Sequence, residues 1–254
     1  RRLIDPSACL QVMTGAVLPD GCDCVVPYEE LEMNGDHATI KAGALLQPMQ
    51  WVHARGADRP KGGLLLQPGI RLRSAHIAIA AMAGRASVLV GAPPSVAMIS
   101  TGDELADAGA DIALHQIRPS NAYGIQAALK NAGVNRVEMS ILPDDRQALR
   151  QGLARALKLH EVVILSGGVS MGQYDFVPGV LQELGVEPVF HKIRQKPGKP
   201  FWHGKAEGGR RIFALPGNPV SSLICFHRYA LPSLLRSMGA EPAPRERAAL
   251  RGRL

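Results

Sequence analysis

The feature that most constrains this fold is a regular alternation of short apolar segments and amphipathic segments from about residue 95 onward. Short apolar segments between turn residues are typical of buried strands, whereas apolar residues at helical spacing predict helices. The predicted strands are 95–100, 134–141, 161–166, 186–193 and 211–215, and the predicted helices are 121–131 with Asn121 as its N-cap, 145–158, 174–184 and 219–235. Strands and helices in this order pack as helices on both faces of one sheet. We therefore predict an α/β fold class, with a three-layer α/β/α domain and a mostly parallel sheet.

The first part of the chain has a different pattern. Residues 9–70 are rich in glycine and proline, and the apolar runs at 23–27 and 37–41 are typical of short strands joined by turns. The elements predicted after them are an N-cap at Ser74, a helix over 75–83, a helix stop at Gly84 and a strand over 86–90. The domain limits that we predict are a β-rich region over 1–92, an α/β domain over 93–238 and, over 239–254, a linker to a further domain.

Composition excludes several classes of protein. Aromatic residues make up only 4% of the chain, so despite a net charge of +7 we expect no nucleic-acid partner. The four cysteines form no CxxC pair, which argues against a zinc site and a disulfide scaffold. No apolar run reaches the roughly 18 residues of a membrane span, so we expect no membrane partner and a cytoplasmic location.

Small or polar residues follow four of the predicted strands. Ligands of open α/β sheets bind beyond the carboxyl ends of the strands, which makes these segments the first candidates for a site. The segments are Ser100 to Leu105, Pro143 to Asp145, Ser166 to Gly172 and Pro216 to Pro219.

The segment from Ser166 to Gly172 is typical of an oxyanion-binding loop. It offers backbone N–H groups and hydroxyls just before a predicted helix, where the helix dipole favours a phosphate. A glycine-rich turn needed only for tight strand-to-helix geometry is an equal alternative. Asp175 lies at the start of the next helix, where a carboxylate is also an ordinary capping residue.

A rigid cationic segment supports the phosphate interpretation. Residues 192–200 carry four cations within eight positions, and two prolines and a glycine restrict the backbone around them. Rigid cations suit an anionic substrate. If Glu104, Asp144 and Asp175 share a cleft with them, these carboxylates could hold Mg²⁺ that bridges phosphate oxygens.

Five motifs together resemble those of the molybdopterin molybdotransferases, including the gephyrin E-domain type. They read Val-Met-Thr-Gly-Ala at 12–16, Ser-Thr-Gly-Asp-Glu-Leu at 100–105, Ser-Gly-Gly-Val-Ser at 166–170, Lys-Pro-Gly-Lys-Pro at 196–200 and Leu-Pro-Gly-Asn-Pro-Val-Ser at 215–221. Their order and spacing match the family across essentially the whole chain. The resemblance implies a molybdopterin-binding domain that inserts molybdate into adenylylated molybdopterin, with Mg²⁺ as cofactor and AMP as product.

The resemblance also implies the site residues. Those implied as catalytic are Asp58, Glu104, Asp144, Asp175, Lys192 and Lys196, and the metal ligands among them are Glu104, Asp144 and Asp175. Those implied as substrate-binding are Thr101, Gly102, Asp103, Asn121, Ser166, Gly167, Gly168, Ser170, Gly172, Lys199, Pro216, Gly217, Asn218, Pro219 and Ser221.

The chain departs from the family pattern in two respects. The family's N-terminal Asp-Gly-Tyr/Phe-Ala motif and C-terminal β domain have no counterpart here, so we expect a fragment. In addition, Ala57 and the segment from Arg118 to Asn121 differ from the residues that are usual in the family. Two alternatives stay open: a molybdopterin adenylyltransferase, against which the β-rich region argues, and a non-catalytic pterin-binding or scaffold module. As partners the resemblance implies molybdopterin, molybdate and a second copy in a homodimer, with a molybdopterin adenylyltransferase and molybdoenzymes as further candidates.

Overall fold

The computed structural model describes residues 3–5, 7–169 and 176–240. The chain divides into two compact units, the first 65 residues and the residues from 66 onward. The three domain limits predicted from the sequence stay predictions. In the described ranges, no helix is both long and apolar enough to cross a membrane.

The first unit contains one small antiparallel hairpin, formed by β1 (Leu31–Asn34) and β2 (His37–Ile40). Gly35 occupies the first position of its two-residue turn with φ +58°, a left-handed conformation that a hairpin turn of this length favours. The predicted strand at 37–41 is therefore confirmed. The predicted strand at 23–27 is wrong, because the Val25 N–H donates to the carbonyl of Gln50 in a turn (3.0 Å) and joins no strand ladder.

The second unit alternates strands and helices as predicted. In chain order its elements are α1 (Ser74–Met82), β3 (Val96–Thr101), α2 (Ser120–Asn131), β4 (Val137–Leu142), α3 (Arg146–Leu159), β5 (Val162–Ser166), α4 (Val177–Glu183), β6 (Glu187–His191), β7 (Trp202–Ala206), β8 (Arg210–Leu215), α5 (Pro219–Cys225) and α6 (Leu231–Ser237), with a π-helical turn over Phe226–Ala230 between the last two.

The six strands of this unit form one sheet in the order β4-β3-β5-β8-β7-β6. Strands β4, β3, β5 and β8 are parallel, whereas β7 is antiparallel to both β8 and β6. The mostly parallel sheet is thus confirmed, but β7 was not predicted. Its sequence, Trp202 to Ala206, contains a glycine and polar residues and lacks a continuous apolar run. The Gly208-Gly209 pair before β8, with φ of +71° and +74°, was the available hairpin signal.

Helices cover both faces of the sheet, which confirms the three layers. Alternate residues of the central strands, such as Val96 and Met98, pack with α2, α5 and α6 on one face. Their neighbours, such as Ala97 and Ile99, pack with α3 and α4 on the other. Strands β3 and β5 are buried along their whole length, so the rigid centre of the domain lies directly beneath the loops that follow them.

Three local predictions in this unit are wrong. Helix α1 begins at Ser74, and its N-cap is Arg73, whose N–H donates to Nδ1 of His76 (3.1 Å). Residues 86–90 form no strand. Helix α2 begins at Ser120 with Pro119 as the N-cap, so Asn121 lies inside the first turn and its amide is used elsewhere.

Candidate functional site

Five loops singled out in the sequence begin at one edge of the six-stranded sheet. Strands β3, β4, β5, β6 and β8 run in the same direction, because β6 and β8 are each antiparallel to β7. Adjacent strands lie about 4.8 Å apart, so the loops after β3 and β8 are separated by about 10 Å. By the same measure β4 and β6 are about 24 Å apart. Groups after these two outer strands reach one ligand only if that ligand is extended along the edge.

The centre of this edge is a tight contact between the ends of β3 and β5. Gly167 has φ +105°, and a Cβ atom there would lie 2.7 Å from both the carbonyl oxygen and Oγ1 of Thr101. Gly168 has φ +65°, and its Cβ would lie 2.7 Å from a methyl group of Val177. Only glycine fits both positions. Oγ1 of Thr101 is buried here without a hydrogen-bond partner among the described residues.

Asn121 joins the ends of two further strands. Its side-chain amide donates to Oγ of Ser166 (2.9 Å) after β5 and to the carbonyl of Gly217 (2.8 Å) after β8. Its Oδ1 atom is buried and has no partner in the described part of the chain. Asn121 therefore joins the ends of β5 and β8 and does not cap α2.

The loop after β8 is shaped by its own helix cap. Oδ1 of Asn218 accepts from the N–H (3.2 Å) and the hydroxyl (3.3 Å) of Ser221, so this side chain caps α5. Pro216 is buried, while Gly217, Asn218 and Pro219 are exposed. A Cβ atom on Gly217 would lie 3.8 Å from Cα of Gly167, which places the loops after β8 and β5 side by side.

Two of the predicted acids of the second unit, Glu104 and Asp144, lie after β3 and β4. Asp103 and Glu104 are exposed, and Oδ1 of Asp103 accepts from the N–H of Asp144 (3.1 Å), which brings the two loops together. Gly102, with φ +146°, makes the bend between β3 and these acids. No group of three or more His, Cys, Asp or Glu side chains within the described ranges is arranged to hold a metal ion. Asp175, Ser170 and Gly172 lie outside the described residues.

The remaining predicted acid, Asp58, lies in the first unit. Its side chain is 77% exposed and lies 3.3 Å from Nε2 of His53. Its predicted catalytic role stays a prediction.

The cationic segment forms the loop from β6 to β7. Its base is closed by two backbone hydrogen bonds, from Lys192 N–H to the Phe201 carbonyl and from Ile193 N–H to the Lys199 carbonyl, each 2.9 Å. Lys192, with φ +69°, Lys196 and Lys199 are all exposed. The predicted lysines therefore share one loop, which begins at the same edge of the sheet as the glycine loop after β5.

Sequence reasoning missed three residues that hold this loop, namely Gln195, Cys225 and Tyr229. They touch it through side-chain hydrogen bonds that no motif or spacing indicates. Burial raises the pKa of the Cys225 thiol, which disfavours the charged thiolate.

A three-layer α/β domain whose polar loops lie at one edge of the sheet is typical of proteins that bind a ligand at that edge. Residues 97–236 match the family described as "Probable molybdopterin binding domain", to which the chain belongs. Residues 1–84 match the family described as "MoeA N-terminal region (domain I and II)". The resemblance predicted from the five motifs is thus confirmed.

Known relatives agree with this assignment. A molybdopterin molybdenumtransferase of Synechocystis is 38% identical over 91% of this chain and 60% of its own length, and that of Haemophilus influenzae is 34% identical over 91% and 56%. A crystal structure of the molybdopterin biosynthesis MoeA protein from Pyrococcus horikoshii is similar with a TM-score of 0.75 and 33% identity, over 90% of this chain and 56% of that one. The chain spans little more than half the length of these relatives.

Proposed function

We propose that this chain is the pterin-binding part of a molybdopterin molybdotransferase, which inserts molybdate into adenylylated molybdopterin with release of AMP. The single observation that carries the proposal is the convergence of segments from four family motifs, residues 100–105, 166–169, 196–200 and 215–221, on one sheet edge. The names of the relatives support the same activity.

The proposed substrate is extended and anionic, which suits the dimensions of the edge. The glycine loop after β5 and the loop after β8 lie in contact, and together they would seat the pterin phosphate. The exposed lysines after β6 would neutralise the other end of the ligand and the incoming molybdate. In this proposal the residues act by positioning and by charge stabilisation while the phosphoanhydride bond breaks.

Magnesium belongs to the same proposal. Mg²⁺ in phosphoryl sites is usually held by one or two carboxylates together with substrate phosphates. The carboxylates of the exposed Glu104 and the half-buried Asp144 are of this kind. The hydrogen bond from the Asp144 N–H to Oδ1 of Asp103 keeps their two loops together. The ion would neutralise charge on the phosphate oxygens. We place the protein, as part of this proposal, in the cytoplasm as a homodimer.

The first test is a titration of the purified, folded chain with adenylylated molybdopterin, with ATP as comparator. Saturable binding of the pterin without binding of ATP supports the proposal. A folded chain that binds ATP as well as the pterin would point to an adenylyltransferase, and one that binds neither would leave only the fold.

A Thr101→Val variant makes the test specific for the edge. Valine keeps the shape of the side chain but removes a buried hydroxyl that has no partner among the described residues, so stability should be unchanged or higher. If the hydroxyl binds ligand, affinity should fall about tenfold. Ser222→Ala removes another buried hydroxyl of this kind, on α5, and should change neither stability nor affinity by much. Equal affinities for the two variants would remove Thr101 from the site.

A further inference from the structure

The cationic loop is tied to the helical layer by three side chains that belong to no predicted site. We call Gln195, Cys225 and Tyr229 the loop clamp. Gln195 lies on the loop itself, Cys225 is the last residue of α5, and Tyr229 lies on the π-helical turn that follows it.

The clamp is a short chain of hydrogen bonds. The hydroxyl of Tyr229 donates to Oε1 of Gln195 (2.7 Å), and Nε2 of Gln195 donates to the carbonyl of Pro197 (2.8 Å) and lies 3.9 Å from Sγ of Cys225. The Cys225 thiol donates to the carbonyl of Gly198 (3.6 Å). Both sides of the loop tip are thus joined to one helical segment.

The packing around the clamp leaves little space for other arrangements. Gly198 is buried with φ +109°, and a Cβ atom there would lie 2.6 Å from Sγ of Cys225 and 2.9 Å from Nε2 of Gln195. The ring of Tyr229 stacks on Phe201 at a centroid distance of 5.1 Å, and Phe201 is fully buried at the base of the loop. The clamp therefore continues the hydrophobic core into the loop.

The anchored residues alternate with the lysines along the loop. Gln195 and Gly198 face the helical layer, while Lys196 and Lys199, which directly follow them, are exposed. A flexible lysine loses conformational freedom when it binds an anion, and a backbone that is already held lowers this cost. The neutral glutamine, thiol and phenol also add no negative charge that would compete for the ammonium groups.

We infer that Gln195 and Tyr229 are positioning residues, which hold the loop so that Lys196 and Lys199 are presented together to an anionic ligand. The inference rests on the proposed function, since the ligand it names is adenylylated molybdopterin. Neither residue touches the ligand. Each acts through the lysines.

A double-mutant cycle separates positioning from general stability. Tyr229→Phe removes only the hydroxyl and keeps the ring stacked on Phe201, and we expect it to weaken binding of adenylylated molybdopterin about three- to tenfold. In a Lys196→Ala background the same change should weaken binding less than it does in the unmodified chain, because one of the two lysines that Tyr229 positions is gone. Tyr28→Phe, a change at an exposed tyrosine of the first unit, is the matched control and should have no effect in either background.

Hydrogen exchange of the loop supplies the second measurement. Exchange of the Ile193 amide should accelerate at least threefold in Tyr229→Phe and in Gln195→Ala, with melting temperatures close to that of the unmodified chain. Gln151→Ala, at an exposed glutamine on α3, should leave that exchange unchanged.

The possible failures can be told apart. If the unmodified chain binds no pterin, the proposed function fails and the inference falls with it. If it binds and Lys196→Ala weakens binding, but Tyr229→Phe has the same effect with or without Lys196, the inference is wrong while the proposed function stands. Unaltered exchange of the Ile193 amide in both clamp variants would overturn it as well.

Discussion

Replacing Asn121 with alanine should destabilise the second unit, because its amide joins the ends of β5 and β8. The change removes two hydrogen bonds, to Oγ of Ser166 and to the carbonyl of Gly217. Ser166 is only 5% exposed, so the loss of this donor costs about 1–2 kcal/mol, whereas water can replace the donor to the exposed Gly217 at a cost of about 0.5–1 kcal/mol. Alanine is the better helix former in the first turn of α2 by about 0.5 kcal/mol. We therefore expect a net loss of about 1–2.5 kcal/mol.

Urea unfolding followed by tryptophan fluorescence measures this loss in the correct unit. Trp202 lies in β7 and is 1% exposed, while Trp51 lies in the first unit and is 68% exposed. In a Trp51→Phe background, the fluorescence change reports on the second unit alone. Asn131→Ala is the control, because it is an exposed asparagine at the end of the same helix. If the free energies of unfolding of the two alanine variants agree within about 0.5 kcal/mol, the hydrogen bonds of Asn121 contribute nothing to stability and the prediction is wrong.

Three further predictions concern charge, shape and pH. Lys196→Ala should weaken binding of adenylylated molybdopterin by about 1.5–3 kcal/mol in a calorimetric titration, and Lys158→Ala, on an exposed helix end, should not; equal affinities would exclude Lys196 from the site. Gly167→Ala should lower the free energy of unfolding in urea by about 2–4 kcal/mol, because it adds a steric clash to an unfavourable φ. Gly133→Ala, at φ +90° with open space around it, should lower it by only about 1 kcal/mol. Similar losses in the two variants would contradict the close packing of the edge. Burial lowers the pKa of His203, so the folded state binds a proton at this side chain less readily than the unfolded state does. The free energy of unfolding should therefore be highest above about pH 6.5 and should decline as the pH falls below that value. His203→Gln should flatten this decline, and an unaltered pH profile would show that the decline has another origin.

Local signals in the sequence were sufficient for most of the fold. The central strands β3, β5 and β8 are apolar on both faces because helices cover both, and a strand of this kind is a continuous apolar run in the sequence. Helix α3 was predicted almost to the residue, because Asp145 caps it and Leu149, Leu153 and Ala156 lie on one buried face. Gly84, with φ +74°, ends α1 as expected.

The elements that the sequence did not predict are those whose neighbours decide their structure. Strand β7 is short and partly polar, and it exists because β6 and β8 supply hydrogen-bond partners on both sides. Asn121 has the residue type of an N-cap, but the amide satisfies acceptors at the ends of two other strands. Local propensity contains no information about such partners.

For the candidate site, the sequence by itself determined which segments end strands and which residue types they offer: glycines, hydroxyls, acids and lysines. The tertiary structure alone decided their arrangement, because sheet order is set by packing and by chain connections rather than by local pattern. It placed the loop of Lys196 at the same edge as the glycine loop, because β7 is antiparallel to both β6 and β8 and the chain therefore reverses twice. It also attached that loop to Tyr229 through a hydrogen bond between residues 34 positions apart, a distance over which no sequence pattern specifies contact.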